Sequence, residues 1–233
     1  MKPVSEKNLA ARLDQLNERI ASACRASGRS SEAITLIGIS KTKPAEDVAA
    51  AHALGLKNFG ENYLQEASGK IDALEGLAAT WHYVGNIQSN KTKEVAKYFD
   101  WVHTVDRNKI AQRLNAQCPA DKTIQVLIQV NIDEDPNKGG CSPGETLHLA
   151  QQMMLLPRIQ IRGLMTILSK DSMPRDSYES VAQLSVQIAA ELPAAQQACW
   201  DTLSMGMTYD LEHAIAAGAT HIRIGTALFG ARG

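Results

Sequence analysis

IQVLIQVNIDEDPNKGGCSPGETLHLAQQMM, residues 124–154, contains one whole structural unit. The apolar run Ile124–Asn131 reads as a buried strand. The polar, Gly- and Pro-containing stretch Asp133–Gly144 reads as a loop, and Pro143–Met154 as a helix. Outward from this unit the same alternation recurs. Strands are expected at Thr35–Ser40, Asn58–Gly60, His82–Val84 and Trp101–Val105 before it, and at Ile161–Met165, Thr202–Ser204 and Ile222–Ile224 after it. Helices are expected at Ala45–Ala53, Tyr63–Leu74, Ser89–Tyr98, Arg107–Asn115, Tyr178–Ala190 and Asp210–Ala217. Strands alternating with helices predict a parallel sheet. Eight repeats predict a closed (β/α)8 TIM barrel rather than an open doubly wound sheet.

Residues 5–27 place Leu9, Leu13, Leu16, Ile20 and Ala23 on one helical face. Residues 1–30 are therefore expected as an extra N-terminal helix packed on the barrel. Asp133–Gly144 and Ser169–Asp176 read as loops rather than domain boundaries, so residues 1–233 form one expected domain. The chain has 24 basic and 25 acidic residues, and this balance gives no field for nucleic acid or an anionic membrane. The four cysteines are widely spaced, which argues against a disulfide framework or zinc site and for reduced thiols. The N-terminus is too charged for a signal peptide, and no apolar run reaches a membrane span. A cytoplasmic protein is expected.

Functional groups of such a barrel sit at the C-terminal ends of its strands. Strand one runs into Ser40-Lys41-Thr42-Lys43-Pro44. A lysine at the barrel mouth loses its proton more easily and becomes a nucleophile toward an aldehyde; otherwise both lysines are solvated residues before a helix. Strands seven and eight run into loops containing Ser204 and Gly206, and Gly225 and Thr226. Their hydroxyls and close backbone approach suit a phosphate, as well as ordinary turns. Arg223, within strand eight, needs an acceptor if it points inward. That acceptor is either a carboxylate or the pyridine nitrogen of pyridoxal 5′-phosphate (PLP). Asn62 suits an N-cap or a ligand contact at the mouth. His82 and His103 read as satisfied core residues, Asp133, Glu134 and Asp135 as a solvated loop, and Lys91 and Lys93 as solvent-facing.

The segments GISKTKP (38–44), FGENYLQE (59–66), WHYVGNIQSNK (81–91), VNIDEDPNKGGC (130–141), RGLMTI (162–167), LSMGMTYDLEHAIAAG (203–218) and IRIGTALFG (222–230) together resemble the YggS/PROSC family of PLP-binding proteins. The resemblance spans nearly the whole chain. It implies a barrel like the N-terminal domain of bacterial alanine racemase, with PLP as a Schiff base on Lys41. It further implies Arg223 at the pyridine nitrogen, Ser204, Gly206, Gly225 and Thr226 around the phosphate, and Asn62 near the ring. Gly139 and Thr208 depart mildly from the family's usual residues. The expected role is PLP homeostasis: buffering the cofactor and delivering it to apo PLP-dependent enzymes, with indirect effects on amino-acid and keto-acid metabolism.

An arginine is a poor proton donor to the ring, which argues against strong catalysis. The chain also ends at Gly233 without the racemase's second domain, so no catalytic residue is assigned and a monomer is expected. The alternatives are an amino-acid racemase using Tyr63 or Tyr209 as second base, and a barrel for another phosphate ligand.

Overall fold

The computed structural model describes residues 5–230. The first four residues of the expected N-terminal segment, and the Gly233 terminus, lie outside the described residues. The strands are β1 (Thr35–Ile39), β2 (Asn58–Glu61), β3 (Thr80–Tyr83), β4 (Trp101–Val105), β5 (Ile124–Gln129), β6 (Ile159–Met165), β7 (Thr202–Ser204) and β8 (His221–Ile224). They pair in sequence order, all parallel, and β1 pairs with β8 (Thr35 opposite His221) to close the barrel. The expected TIM barrel is therefore present, with strand limits shifted by at most two residues.

Helices follow the strands: α2 (Ala45–Ala53), α3 (Leu64–Ala73), α4 (Thr92–Tyr98), α5 (Asn108–Gln117), α6 (Pro143–Met153), α7 (Pro174–Glu191), α8 (Ala194–Gln197), α9 (Leu211–Ala216) and α10 (Thr226–Phe229). Before them, α1 (Glu6–Ala26) buries the expected stripe Leu9, Leu13, Leu16, Ile20 and Ala23. It packs on α9, α10 and α2, so it crosses the β8–β1 closure. Five of these helix starts differ from expectation, those of α5 and α9 by a single residue. Helix α7 begins at Pro174, inside the expected loop, because proline is tolerated in a first turn. Helix α4 is preceded by a 3-10 turn at Ser89–Lys91. Helix α3 begins at Leu64 with Tyr63 as its N-cap, so Asn62 does not fill that role.

Strand β6 carries Gly163 at φ +143°, where the β5 register shifts between Val126 and Leu127. A Cβ there would lie 2.0 Å from the Thr202 carbonyl oxygen, so only glycine lets β7 approach. All four cysteines are free thiols. Among the described residues no helix is long and apolar enough to cross a membrane, and no cluster could hold a metal ion.

Candidate functional site at the barrel mouth

A cavity of about 390 Å³ opens at the C-terminal ends of the strands, within the size range of small-molecule sites. Lys41, Asn62, Arg223, Gly225, Thr226 and Thr208 line it, and Ile39, Val84 and Ile167 supply apolar wall. Each lies at or just beyond a strand end, which is why residues far apart in sequence converge here.

Lys41 stands on a tight turn. Strand β1 ends at Ile39, and the Lys43 amide donates to the Ser40 carbonyl at 3.0 Å. The turn breaks the extended geometry that would aim Lys41 and Lys43 alike. Lys41 is half-buried on the cavity, whereas Lys43 is buried and not among the lining residues. Neither is the fully solvated lysine of the simpler reading. Thr42 has φ +63°, a left-handed conformation costing a threonine on the order of 1–3 kcal/mol. Helix α3 holds this turn from both sides of Lys41. The Lys70 ammonium donates to the Ser40 carbonyl at 2.8 Å, and the Thr42 amide donates to Glu66 at 2.6 Å. Lys70 also pairs with Glu66 at 3.1 Å and with the buried Glu61, which accepts from the Ser40 hydroxyl at 2.6 Å. Burial raises the Glu61 pKa, and Lys70 opposes that rise.

Arg223 is held by uncharged groups. Its Nη2 donates to the Thr166 carbonyl and its Nη1 to the Ser204 hydroxyl, both at 2.8 Å. Burial lowers its pKa, and nearby Tyr178 and Asp210 counter this. Ser204 is fully buried and also meets His103 Nδ1 at 2.9 Å. Strands β4 and β7 are not paired, so this contact crosses the barrel interior. His103 Nε2 then meets His82 Nδ1 at 2.9 Å, and His82 Nε2 meets Asn58 Oδ1 at 3.0 Å. The expectation of satisfied core histidines holds, and their partners are now named. Burial pushes both well below the usual histidine range.

Of the residues expected around a ligand, five share the cavity: Lys41, Asn62, Arg223, Gly225 and Thr226. Ser204 and Gly206 are not brought to its wall. Gly206 is buried, its carbonyl accepts the Arg223 amide at 3.0 Å, and a Cβ on it would meet Ala214 of α9 at 2.6 Å. Asn62 Oδ1 is buried with no hydrogen-bond partner among the described residues. Gly85 seats Asn62: a Cβ there would lie 2.1 Å from the Asn62 carbonyl oxygen. Thr226 opens α10, so its N–H has no acceptor within that helix.

The acidic loop is not simply solvated. Asp133 accepts from the Ser169 amide (2.7 Å) and from the hydroxyls of Ser172 (2.6 Å) and Ser177 (2.7 Å). Burial alone would raise its pKa, but these bonds outweigh it and hold the carboxyl below the ordinary value. The Asp133–Gly144 loop is thereby tied to the segment after β6, and Lys138 adds bonds to the Ile167 and Leu168 carbonyls.

The model of the family "Alanine racemase, N-terminal domain" matches residues 11–233. The chain is 47% identical over 226 residues to the pyridoxal phosphate homeostasis protein of Pseudomonas aeruginosa, covering 96% of each. The chain belongs to the pyridoxal phosphate homeostasis protein family. A solved family member, PipY of Synechococcus elongatus with PLP bound, is 32% identical with a TM-score of 0.83, covering 95% of this chain and all of that one. Alanine racemase of Corynebacterium glutamicum shares the fold at 14% identity and a TM-score of 0.70, covering 97% of this chain and 61% of that one.

Within this family fold, sequence reasoning passed over Thr208 as a lining residue, although its position after Gly206-Met207 marked it. It also passed over Tyr178, which lies on α7, beside Asp210 and Gly206, where no strand-end rule points.

Proposed function

We propose that this chain serves PLP homeostasis: it holds PLP as a Schiff base on Lys41, buffers the reactive aldehyde and delivers it to apo PLP-dependent enzymes. The observation that carries this reading is the single cavity joining an amine, Lys41, to a guanidinium, Arg223, beside Gly225 and Thr226. The residues suit the cofactor. When bound, PLP supplies an aldehyde for the amine, a ring nitrogen and a phosphate dianion. Arg223 would donate to the ring nitrogen, and Asn62 would offer its buried amide oxygen at the cavity wall. Thr208, Thr226 and the N–H at the start of α10 would hold the phosphate. Ser204 serves this arrangement through Arg223 rather than by touching the ligand. The homeostasis names of the relatives and the PLP bound to PipY support the same reading.

The protein has no catalytic turnover of its own in this reading. A guanidinium does not release its proton to the ring, so the ring stays a weak electron sink. The racemase alternative would rest on Tyr209, which lines the cavity but is 90% exposed; Tyr63 does not line it.

Borohydride reduction of the PLP-treated protein, followed by peptide mass mapping, tests the assignment. The expected adduct is on Lys41, and Lys41→Ala abolishes it while retaining non-covalent binding. An adduct elsewhere overturns the site. Racemase or transaminase turnover that disappears in Lys41→Ala overturns the carrier reading.

A further inference from the structure

The contacts beneath Arg223 form one continuous path: Arg223 Nη1, Ser204 Oγ, His103, His82 and Asn58 Oδ1, with successive distances of 2.8, 2.9, 2.9 and 3.0 Å. Donor and acceptor counting fixes its direction. Arginine only donates, so Ser204 accepts from it. The single hydroxyl hydrogen of Ser204 then goes to His103 Nδ1, which must be bare. His103 therefore carries its proton on Nε2 and donates it to His82 Nδ1. His82 in turn carries its proton on Nε2 and donates to the Asn58 carbonyl oxygen. Every group on the path is satisfied.

The opposite direction places two donors, Arg223 and His103, on Ser204 and leaves its hydroxyl hydrogen without an acceptor on the path. A buried unmade bond of that kind costs about 1–3 kcal/mol. It also requires Asn58 to turn its amide nitrogen toward His82. A doubly protonated histidine adds a buried charge, which the lowered pKa values of both rings disfavour.

We infer that His103 and His82 are positioning residues: a neutral, one-directional relay that orients the Arg223 guanidinium toward the ring nitrogen of PLP. The role rests on the PLP reading above, whereas the relay's direction does not. With Thr166 holding Nη2 and Ser204 holding Nη1, the guanidinium plane is pinned at two of its nitrogens. The relay delivers no proton to the cofactor, because each of its hydrogens points away from Arg223.

Two measurements test this. Long-range ¹⁵N–¹H NMR of the imidazoles, without PLP at neutral pH, reads the tautomers directly; His82→Gln and His103→Gln spectra assign the signals. The expected result is Nε2–H on both rings, and Nδ1–H or an imidazolium on either overturns the relay. Fluorescence titration with PLP then compares His103→Leu with His103→Asn, whose side-chain oxygen can replace Nδ1 as acceptor for Ser204. His103→Leu should weaken PLP binding about tenfold, the scale of one buried hydrogen bond lost, and His103→Asn should recover most of it. The absorption maximum of bound PLP should shift in the leucine variant and return in the asparagine one. Equal binding by both variants and wild type overturns the positioning role, while leaving the PLP reading intact. No PLP uptake by wild type overturns the parent reading and this role with it, even with the tautomers as expected.

Discussion

Lys41 and Arg223 face the same cavity but are held from below by opposite means. Under Lys41 lies a charged clamp, with Lys70 and Glu66 gripping the Ser40 and Thr42 backbone and Glu61 pairing with Lys70 and the Ser40 hydroxyl. Under Arg223 lies an uncharged path of a hydroxyl, two imidazoles and an amide. The difference follows from what each must support. A strained turn is kept in place by strong, short-range ion pairs at its backbone. A buried guanidinium already carries charge, so neutral acceptors orient it without adding a second charge to desolvate. Rigidity can thus come from charge where geometry is strained, and from exact donor–acceptor matching where charge is already present.

The clamp should break with the larger effect. Lys70→Met leaves the fully buried Glu61 carboxyl without its cation, which should cost about 3–5 kcal/mol in urea unfolding. Adding Glu61→Gln should restore a good part of this. If the single variant is as stable as wild type, the ion pair contributes no rigidity.

Acid should separate the two supports next. A histidine with a lowered folded pKa takes up its proton more readily when unfolded. Stability is then fully present above about pH 6.5 and is lost as pH falls toward the folded value. His221, beside the relay, is lowered to about 4, chiefly by burial. That shift corresponds to about 3 kcal/mol lost across this window, with His82 and His103 acting in the same direction. Glu61 acts the other way: its pKa is raised, so its contribution falls as pH rises above the ordinary glutamate value. The melting temperature should drop from pH 7 to pH 4.5, and His221→Asn should flatten part of that slope. A flat wild-type profile would contradict neutral burial of the histidines.

The smallest effect is expected at Thr42. Glycine accepts φ +63° without strain but loses more chain entropy on folding. Thr42→Gly should therefore change stability by no more than about 1 kcal/mol in thermal unfolding. A larger loss would mean that the threonine side chain, and not only the backbone, is part of the clamp.

The barrel was legible because eight apolar runs alternate with helical stretches, and the mouth because lysine, glycine and hydroxyl residues follow those runs. The supports beneath were not. Strand β7 spans only Thr202–Ser204, too short for alternation to show whether Ser204 faces a ligand or the barrel interior. Lys70 sits on α3 with nothing local to indicate that it reaches back under β1. The start of α7 was hidden because Ser172, read in a polar loop, and Ser177, just after it, are bonded to Asp133 some 40 residues earlier.

The position of α1 has a consequence for synthesis. Its apolar stripe is covered by α9 and α10, and its polar residues reach the same region: Arg19 bonds Glu212 and the Thr208 carbonyl, and Arg29 the Ile215 carbonyl. On the ribosome α1 emerges well before α9 and α10, a delay on the order of 10–40 s at ordinary elongation rates. Through that interval Leu9, Leu13, Leu16 and Ile20 lack their native cover. The nascent chain is thus a client for holding chaperones until α9 and α10 arrive to latch it.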